Sequence, residues 1–592
     1  MQIKVNRNYV WANVFMDQLA ECGVKYACIS PGSRSTPLTY ALSQNKKIKT
    51  FVIVDERTSG FFSLGIAKQT NSPVIVVTTS GTATAELYPA IIEAYQNRVP
   101  LIICTADRPA YLRNSGANQT INQDNLYKNH IRFFYDTGLP DIESNKLNSL
   151  KEKALTVFKI ASKENRGPVH INFPFEKPLE PTSYTDTVEE KIITTSLPKP
   201  ISEISEKKAN NFWEQINKNV LISIKKNTPA LITVGPGNFS DHFIKLIEDF
   251  STKFAIPVFA DPSSGLGFKQ NRIQNVITNF DALIRSTAFQ KIFSPKINFH
   301  FGRTATSPKL EEFLTGCGTK RFVVNRFGDM FDTSGKSKII KTDEEEFLQH
   351  LNESEFNPKD SSFVLLKNLK LMEEEIEKIK SDVILESKKI NEPAILINIL
   401  NSIPPDSNLM IGNSVPIRDL DFFSSAIRKN INVFQNRGAS GIDGITSTAL
   451  GISVNSKHST YLVTGDLAFY YDVNSLLIAK QYDIPLVTIL INNNGGAIFR
   501  FLPIADHKNV LQKYFLTPTN LSFKKLTEAF DIEYKELQSL QDILNHIKVS
   551  SVRKKPVVFE IKTNAEYSLY VRKKYWKKVD KFVEKFLRNY EA

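Results

Sequence analysis

Residues 465–496 read GDLAFYYDVNSLLIAKQYDIPLVTILINNNGG. The apolar run YLVT (461–464) ends in Gly465 and Asp466, LLIAKQY follows with helical periodicity, and the β-branched run LVTILI (486–491) ends in Asn492, Asn493 and Asn494. Strand, helix and strand in that order make a βαβ unit, whose two strands are parallel neighbours. Asp466 and the asparagines therefore emerge at one carboxyl edge of a sheet, where open α/β sheets bind ligands. Mg²⁺ takes hard oxygen ligands in near-octahedral geometry and accepts one or two carboxylates beside phosphate oxygens. Asp466, an asparagine side-chain oxygen and the Gly495 carbonyl would leave room for diphosphate oxygens and a water. The same residues also fit an ordinary turn, with Asp466 capping a helix and Asn-Gly closing a loop.

Gly-Asp followed 27 residues later by Asn-Asn resembles the signature of thiamine diphosphate enzymes, with Leu467 where a third glycine is usual. Such an enzyme requires a carboxylic acid against pyrimidine N1′, so that the cofactor's 4′-imino group can take the proton from thiazolium C2. The N-terminal region offers one. After the strand KTFVIV (49–54) comes Asp55-Glu56-Arg57, then a small-residue helix, GFFSLGIAK. Glu56 at a strand end in a dry pocket would keep or share a proton. Read alone, it is equally an acid favouring a helix N-terminus.

Further motifs narrow the resemblance: CISPGSRSTPL (28–38), TTSGTATAELYPAIIEA (78–94), TADRP (105–109), GANQTINQ (116–123), GPVHINFPF (167–175), GNSVPIRDLD (412–421), NRGASGIDGITST (436–448) and NNNGGAIF (492–499). In this order they resemble the 2-succinyl-5-enolpyruvyl-6-hydroxy-3-cyclohexene-1-carboxylate synthase family of menaquinone biosynthesis, from about residue 10 to about residue 565, and Leu467 is a variant that family tolerates.

The resemblance implies an α/β protein of three doubly wound domains with mainly parallel sheets, the thiamine diphosphate-binding fold. It implies a transferase that decarboxylates 2-oxoglutarate on thiamine diphosphate and adds the succinyl carbanion to isochorismate. Asp466, Asn493 and the Gly495 carbonyl would hold Mg²⁺ or Mn²⁺, and Glu56 would activate the cofactor. Ser440, Gly441, Leu467 and Ile498 would line the cofactor, with Ile442 as the apolar wedge that bends it. Ser414, Arg418 and Arg437 would contact the succinyl portion. Ser33, Arg34, Arg108 and Lys309 would receive isochorismate, although Leu310 departs from a position often basic in the family. Asn118 and Gln119 would donate hydrogen bonds at the reacting centre. Arginine suits such dianionic substrates because its planar fork binds both carboxylate oxygens. Taken singly, Arg34 could be a solvated loop charge, and Arg418 and Arg437 could pair with Asp419, Asp421 or Asp443 at the surface. The family also implies a homodimer or dimer of dimers, with active sites shared between subunits.

Composition agrees with a large enzyme. At 592 residues and 41% hydrophobic, the chain is long enough for three or four cores. No apolar run approaches the ~20 residues that span a bilayer, and MQIKVNRNYVWANVF lacks a signal peptide's apolar stretch, so a cytoplasmic location and no stable membrane insertion are expected. Cys22, Cys28, Cys104 and Cys317 show no metal-ligand spacing and read as reduced thiols. His170, in a strand, reads as structural. The net charge of +13 concentrates only in VRKKYWKKVDKFVEKFLRNY (571–590), an amphipathic helix by the spacing of Tyr575, Val579, Phe582 and Phe586; no nucleic-acid motif accompanies it.

Domain limits are expected at 1–182, 205–355 and 385–592, with a charged helical linker before the third and a basic tail over about 566–592. The GPGNFS loop of the central unit lacks the third glycine of a dinucleotide fingerprint, so that unit is expected to be Rossmann-like without a nucleotide. The competing function is another thiamine diphosphate-dependent 2-oxoacid decarboxylase or ligase, of the acetolactate synthase type. A catalytically dead thiamine-binding protein would need only the metal and diphosphate contacts.

Overall fold

The structure, a computed structural model, describes residues 2–191, 210–216, 229–270, 273–354, 360–387, 389–550 and 553–591. It contains three six-stranded parallel sheets. The first takes β2 (Tyr26–Ile29), β3 (Lys49–Val52), β4 (Val74–Thr78), β5 (Leu101–Asp107), β6 (Phe134–Asp136) and β7 (Val169–Pro174) in the order β3-β2-β4-β5-β7-β6. A two-stranded antiparallel ribbon of β1 (Gln2–Val5) and β8 (Asp186–Glu189) ties the start of this unit to its end, beyond residue 182. The second sheet takes β9 (Ala230–Val234), β10 (Val258–Ala260), β11 (Val276–Ile277), β12 (Ile297–Phe301), β13 (Lys320–Asn325) and β14 (Lys338–Lys341), ordered β11-β10-β9-β12-β13-β14. The third takes β15 (Ser407–Ile411), β16 (Ile431–Phe434), β17 (Thr460–Gly465), β18 (Leu486–Asn492), β19 (Glu533–Glu536) and β20 (Val557–Lys562), ordered β16-β15-β17-β18-β20-β19. The expected limits at 205 and 355 lie outside the described residues.

Sheets of this kind are covered by helices on both faces, so their central strands are continuous apolar runs rather than alternating ones. β5 is buried at every position, and β18 is buried up to Asn492, where it leaves the core. β17 and β18 pair in parallel from Thr460 opposite Leu486 to Gly465 opposite Ile491. That register places Asp466 and Asn492 side by side at the sheet's carboxyl edge.

The first and third units share one core within this chain. The helix Glu56–Thr70 lies on the helix Ile445–Ser453, and Phe61, Phe62 and Leu64 pack with Ile445, Ala449 and Leu450. The helices touch through backbone. A Cβ on Gly65 would stand 2.1 Å from the Thr448 carbonyl oxygen, and one on Gly451 2.1 Å from that of Phe62. Neither oxygen can rotate away. Gly451→Val is therefore expected to destabilise the protein by about 3 kcal/mol, the upper part of the overpacking range, read as a lower urea midpoint. A variant as stable as its parent would contradict the backbone contact.

The charged linker is the helix Asp360–Lys380, and it is not merely a spacer. Leu369, Met372 and Ile376 are buried, and the buried Glu373 carboxylate accepts from the Thr278 backbone N–H at 2.8 Å and its hydroxyl at 2.6 Å. The basic tail forms the helix Ala565–Glu591, whose Val571, Tyr575, Val579 and Val583 pack with Phe289, Leu283 and Leu369 of the central unit and the linker helix. Its cationic face stays in solvent, as the amphipathic pattern requires. Among the described residues no helix is long and apolar enough to cross a membrane. Buried His170 is within 2.7 Å of the Thr105 hydroxyl through Nε2, and burial pulls its pKa down to about 3. A neutral structural imidazole results.

Candidate active site

Asp466 opens the helix that follows β17 and is buried at the sheet edge, where its Oδ2 accepts the Gly495 N–H at 2.7 Å. Burial pushes this carboxyl up to about 6, against the backbone N–H groups of Leu467 and Gly495 that hold it down. Asn493 donates from Nδ2 to Glu392 Oε1 at 2.8 Å, while its Oδ1 is buried with no partner. An amide oxygen left so is an open ligand position. Gly495 has φ of +138°, and a Cβ there would meet the Leu516 carbonyl oxygen at 2.0 Å. Only glycine lets the turn pass so close. Asn494 faces away from Asn493, exchanging hydrogen bonds with Asn520 at 2.8 and 3.1 Å. The donor set is hard, oxygen-only and short of a full cage, which suits a divalent cation that also carries diphosphate.

Glu56 is the first residue of its helix, capped by Asp55, whose Oδ1 accepts the Thr58 N–H at 2.9 Å. It is half-buried, and burial raises its pKa above the usual glutamate value, with Asp55 and Glu86 adding to the shift. Contacts across the two units fix this corner. Asn474 donates to Asp55 at 2.5 Å and to the Thr58 hydroxyl at 3.0 Å, and Arg57 donates to the Tyr471 carbonyl at 3.0 Å. The residues flanking Glu56 are thereby tied to the end of the helix that Asp466 opens and to the turn after it.

The loop 436–442 between β16 and the helix Ile445–Ser453 is held from both sides. Asn413 donates to the carbonyls of Asn436 at 2.7 Å and Gly441 at 2.6 Å. Glu93, buried in the first unit, accepts the N–H groups of Gly438 at 3.0 Å and Ala439 at 2.7 Å. Lys68 donates to the Gln435 carbonyl at 2.5 Å and Asn436 Oδ1 at 2.6 Å; burial pulls it down to about 8 while Glu93 supports its charge. On this clamped loop Ile442 stays 37% exposed. An exposed isoleucine on a rigid loop can wedge against a flat ligand.

Two pairs of neighbouring arginines stand in the third and the first unit. Arg418 donates only to the Ser414 carbonyl, at 2.7 Å, and Arg437 has no hydrogen bond or ion pair among the described residues. Burial, then the neighbouring Arg437 charge, works against the charge on Arg418. Asp419 is instead taken by Arg572, and both Asp421 oxygens are buried without partners. Surface pairing with those acids is therefore not what occupies either arginine. Ser414 holds φ of +73°, a left-handed backbone that only its surroundings can maintain. At the carboxyl edge of the first sheet, Arg34 donates to the Phe175 carbonyl at 2.7 Å and Arg108 to the Ser80 hydroxyl. Burial and then the Arg108 charge lower the pKa of Arg34. Gln119, also left-handed, donates to the Ser80 carbonyl at 3.1 Å, while Ser33 and Asn118 are exposed beside these loops. Neighbouring, partly buried arginines that no acid holds in an ion pair suit anions.

Family models for the thiamine pyrophosphate enzyme match twice: the N-terminal TPP binding domain over residues 10–126 and the C-terminal TPP binding domain over residues 426–561. The chain is 34% identical to the 2-succinyl-5-enolpyruvyl-6-hydroxy-3-cyclohexene-1-carboxylate synthase of Haloquadratum walsbyi, covering 89% of this chain and 91% of that protein. Synthases of the same name from Oceanobacillus iheyensis (33% identical, 96% and 97% covered) and Listeria innocua (34%, 95% and 96%) match as broadly. This chain belongs to that synthase family. It is a thiamine diphosphate enzyme of the transferase class.

Within this synthase family member, the loop carrying Ser440, Gly441 and Ile442 stands where the first and third units meet, while Asp466, Asn493 and Gly495 stand together at the carboxyl end of the third sheet. Leu467 and Ile498 flank that end, half-buried. Lys309 lies elsewhere: it pairs with Glu312 at 2.5 Å in a groove with Arg285, Trp576 and Lys577, whose walls hold none of the other expected site residues. Residues not expected from sequence are Lys68, Glu93, Asn413, Glu392 and Arg572. Glu93 alone left a signal, an acid amid the apolar run AIIEA.

Proposed function

We propose that this chain decarboxylates 2-oxoglutarate and joins the remaining four-carbon unit to isochorismate, giving 2-succinyl-5-enolpyruvyl-6-hydroxy-3-cyclohexene-1-carboxylate and CO₂ in menaquinone biosynthesis. The observation that carries it is the pair Arg418 and Arg437, adjacent and, among the described residues, with no acid in hydrogen-bond or ion-pair contact although Asp421 acts on both at longer range, beside a thiamine diphosphate fold. When bound, thiamine diphosphate supplies the electron sink for decarboxylation. Asp466, the orphaned Asn493 oxygen and the Gly495 carbonyl would hold Mg²⁺ or Mn²⁺, which would neutralise the diphosphate charge. Glu56 keeps a proton at pyrimidine N1′, which its raised pKa favours. Ser440, Gly441, Leu467 and Ile498 would line the cofactor, and Ile442 would be the apolar wedge against it.

Arg418 and Arg437, with Ser414, take the donor's distal carboxylate. Ser33, Arg34 and Arg108 receive the carboxylates of isochorismate, with Lys309 released from an exposed pairing worth about 0–1 kcal/mol. Asn118 and Gln119 donate hydrogen bonds at the reacting centre. A cytoplasmic homodimer or dimer of dimers completes the reading. Val54, Tyr470, Tyr471 and Leu477 are exposed beside Glu56 and Asp466, an apolar surface a second copy would cover.

The test is turnover of 2-oxoglutarate against pyruvate, each with and without isochorismate. Consumption of both 2-oxoglutarate and isochorismate is expected, and Arg437→Ala should raise the KM for 2-oxoglutarate by about 10–100-fold, the loss of one charge-assisted contact of 1.5–3 kcal/mol. Preferred turnover of pyruvate would favour the acetolactate synthase type and overturn the proposal.

A further inference from the structure

Glu392 begins the helix Glu392–Ser402 and is as buried as Arg572, on the C-terminal helix; the side chains of both are 1% exposed. Arg572 Nη2 donates to Glu392 Oε2 at 2.6 Å, while Nε and Nη2 grip Asp419 at 2.7 and 2.5 Å. The other Glu392 oxygen accepts the Thr563 hydroxyl at 3.1 Å and Asn493 Nδ2 at 2.8 Å. A chain of charge-assisted bonds thus runs from the C-terminal helix to the Asn493 side chain. Glu392 and Arg572 make no hydrogen bond to Asp466, although the Glu392 charge acts on that carboxyl.

An ionised carboxylate only accepts hydrogen bonds, so the Asn493 atom facing Glu392 must be its NH₂. That decides which way the amide points. Its oxygen is turned to the other side, where it is buried without a partner. We propose that Glu392 and Arg572 are positioning residues, which orient Asn493 so that an oxygen, and not an NH₂ group, faces a divalent cation shared with Asp466. Arg572 neutralises Glu392 and fixes its rotamer, as outer partners of metal ligands do. The C-terminal helix thereby belongs to the cation site without contacting it. This inference rests on the proposed metal end, and its test separates the two.

In Glu392→Gln, Arg572 would claim the single amide oxygen and turn the Gln NH₂ toward Asn493. Asn493 would answer by flipping, which points its own NH₂ at the cation. Mn²⁺ affinity, read by electron paramagnetic resonance with thiamine diphosphate present, is expected to fall about 10–100-fold. The double variant Glu392→Gln/Asn493→Asp presents an oxygen in either orientation and should recover most of that loss. Asn493→Asp alone is the reference for the added charge: a merely structural role for Glu392 predicts that Glu392→Gln costs as much affinity in the Asn493→Asp background as in the parent. Unchanged affinity in Glu392→Gln, or a loss that the double variant does not repair, overturns the inference. Arg572→Lys, which keeps the buried charge but not the fork, serves if Glu392→Gln does not fold: weaker Mn²⁺ binding supports the inference and wild-type binding overturns it. Failure of the unmodified protein to bind Mn²⁺ with the cofactor would instead sink the metal end itself.

Discussion

Asp466→Ala is expected to lose divalent cation and thiamine diphosphate together while the protein stays folded. The carboxylate is the only charged member of the oxygen set at this edge, and a bridging cation is worth several kcal/mol, so cofactor affinity should drop on the order of 10³-fold. The cost to the fold is smaller. Asp466 gives the protein one hydrogen bond outside its own turn, to the Gly495 N–H, and a buried carboxyl pushed up to about 6 is itself an expense that alanine removes. Titration calorimetry with Mn²⁺ and cofactor reads the first effect, and far-ultraviolet circular dichroism with a melting curve reads the second. Cofactor bound at wild-type strength would show that Asp466 is only a helix cap.

Glu56→Gln should separate catalysis from binding. Glutamine keeps the shape and can still hydrogen-bond, but it cannot exchange a proton with pyrimidine N1′. General acid–base assistance of this kind is worth about 10²–10⁴-fold. Turnover should fall by that factor, with cofactor affinity and melting temperature close to the parent's. A variant with full turnover contradicts the proton role. An unmodified protein that binds cofactor and turns nothing over would point to a catalytically silent relative, whatever Glu56 does.

Much of this was legible in the sequence because βαβ geometry is local. The apolar runs ending at Asp466 and Asn493 had to be parallel neighbours, and parallel neighbours release their carboxyl ends on one edge. The amphipathic spacing of Tyr575 and Val579 likewise announced a helix with one apolar face, though not that the central unit would cover it. Motif order does not convey surroundings: Lys309 stands, in the folded chain, beside Trp576 and Lys577.

What the tertiary structure alone decided is the support of the site. Glu392 meets Arg572 across 180 residues and Glu93 meets Ala439 across 346, and such pairings leave no periodicity or spacing in the chain. The sequence could determine which residue types reach the sheet edge, because strand ends follow from pattern. Which way the Asn493 amide points depends on an acid delivered by packing from another helix, and only the assembled fold contains it.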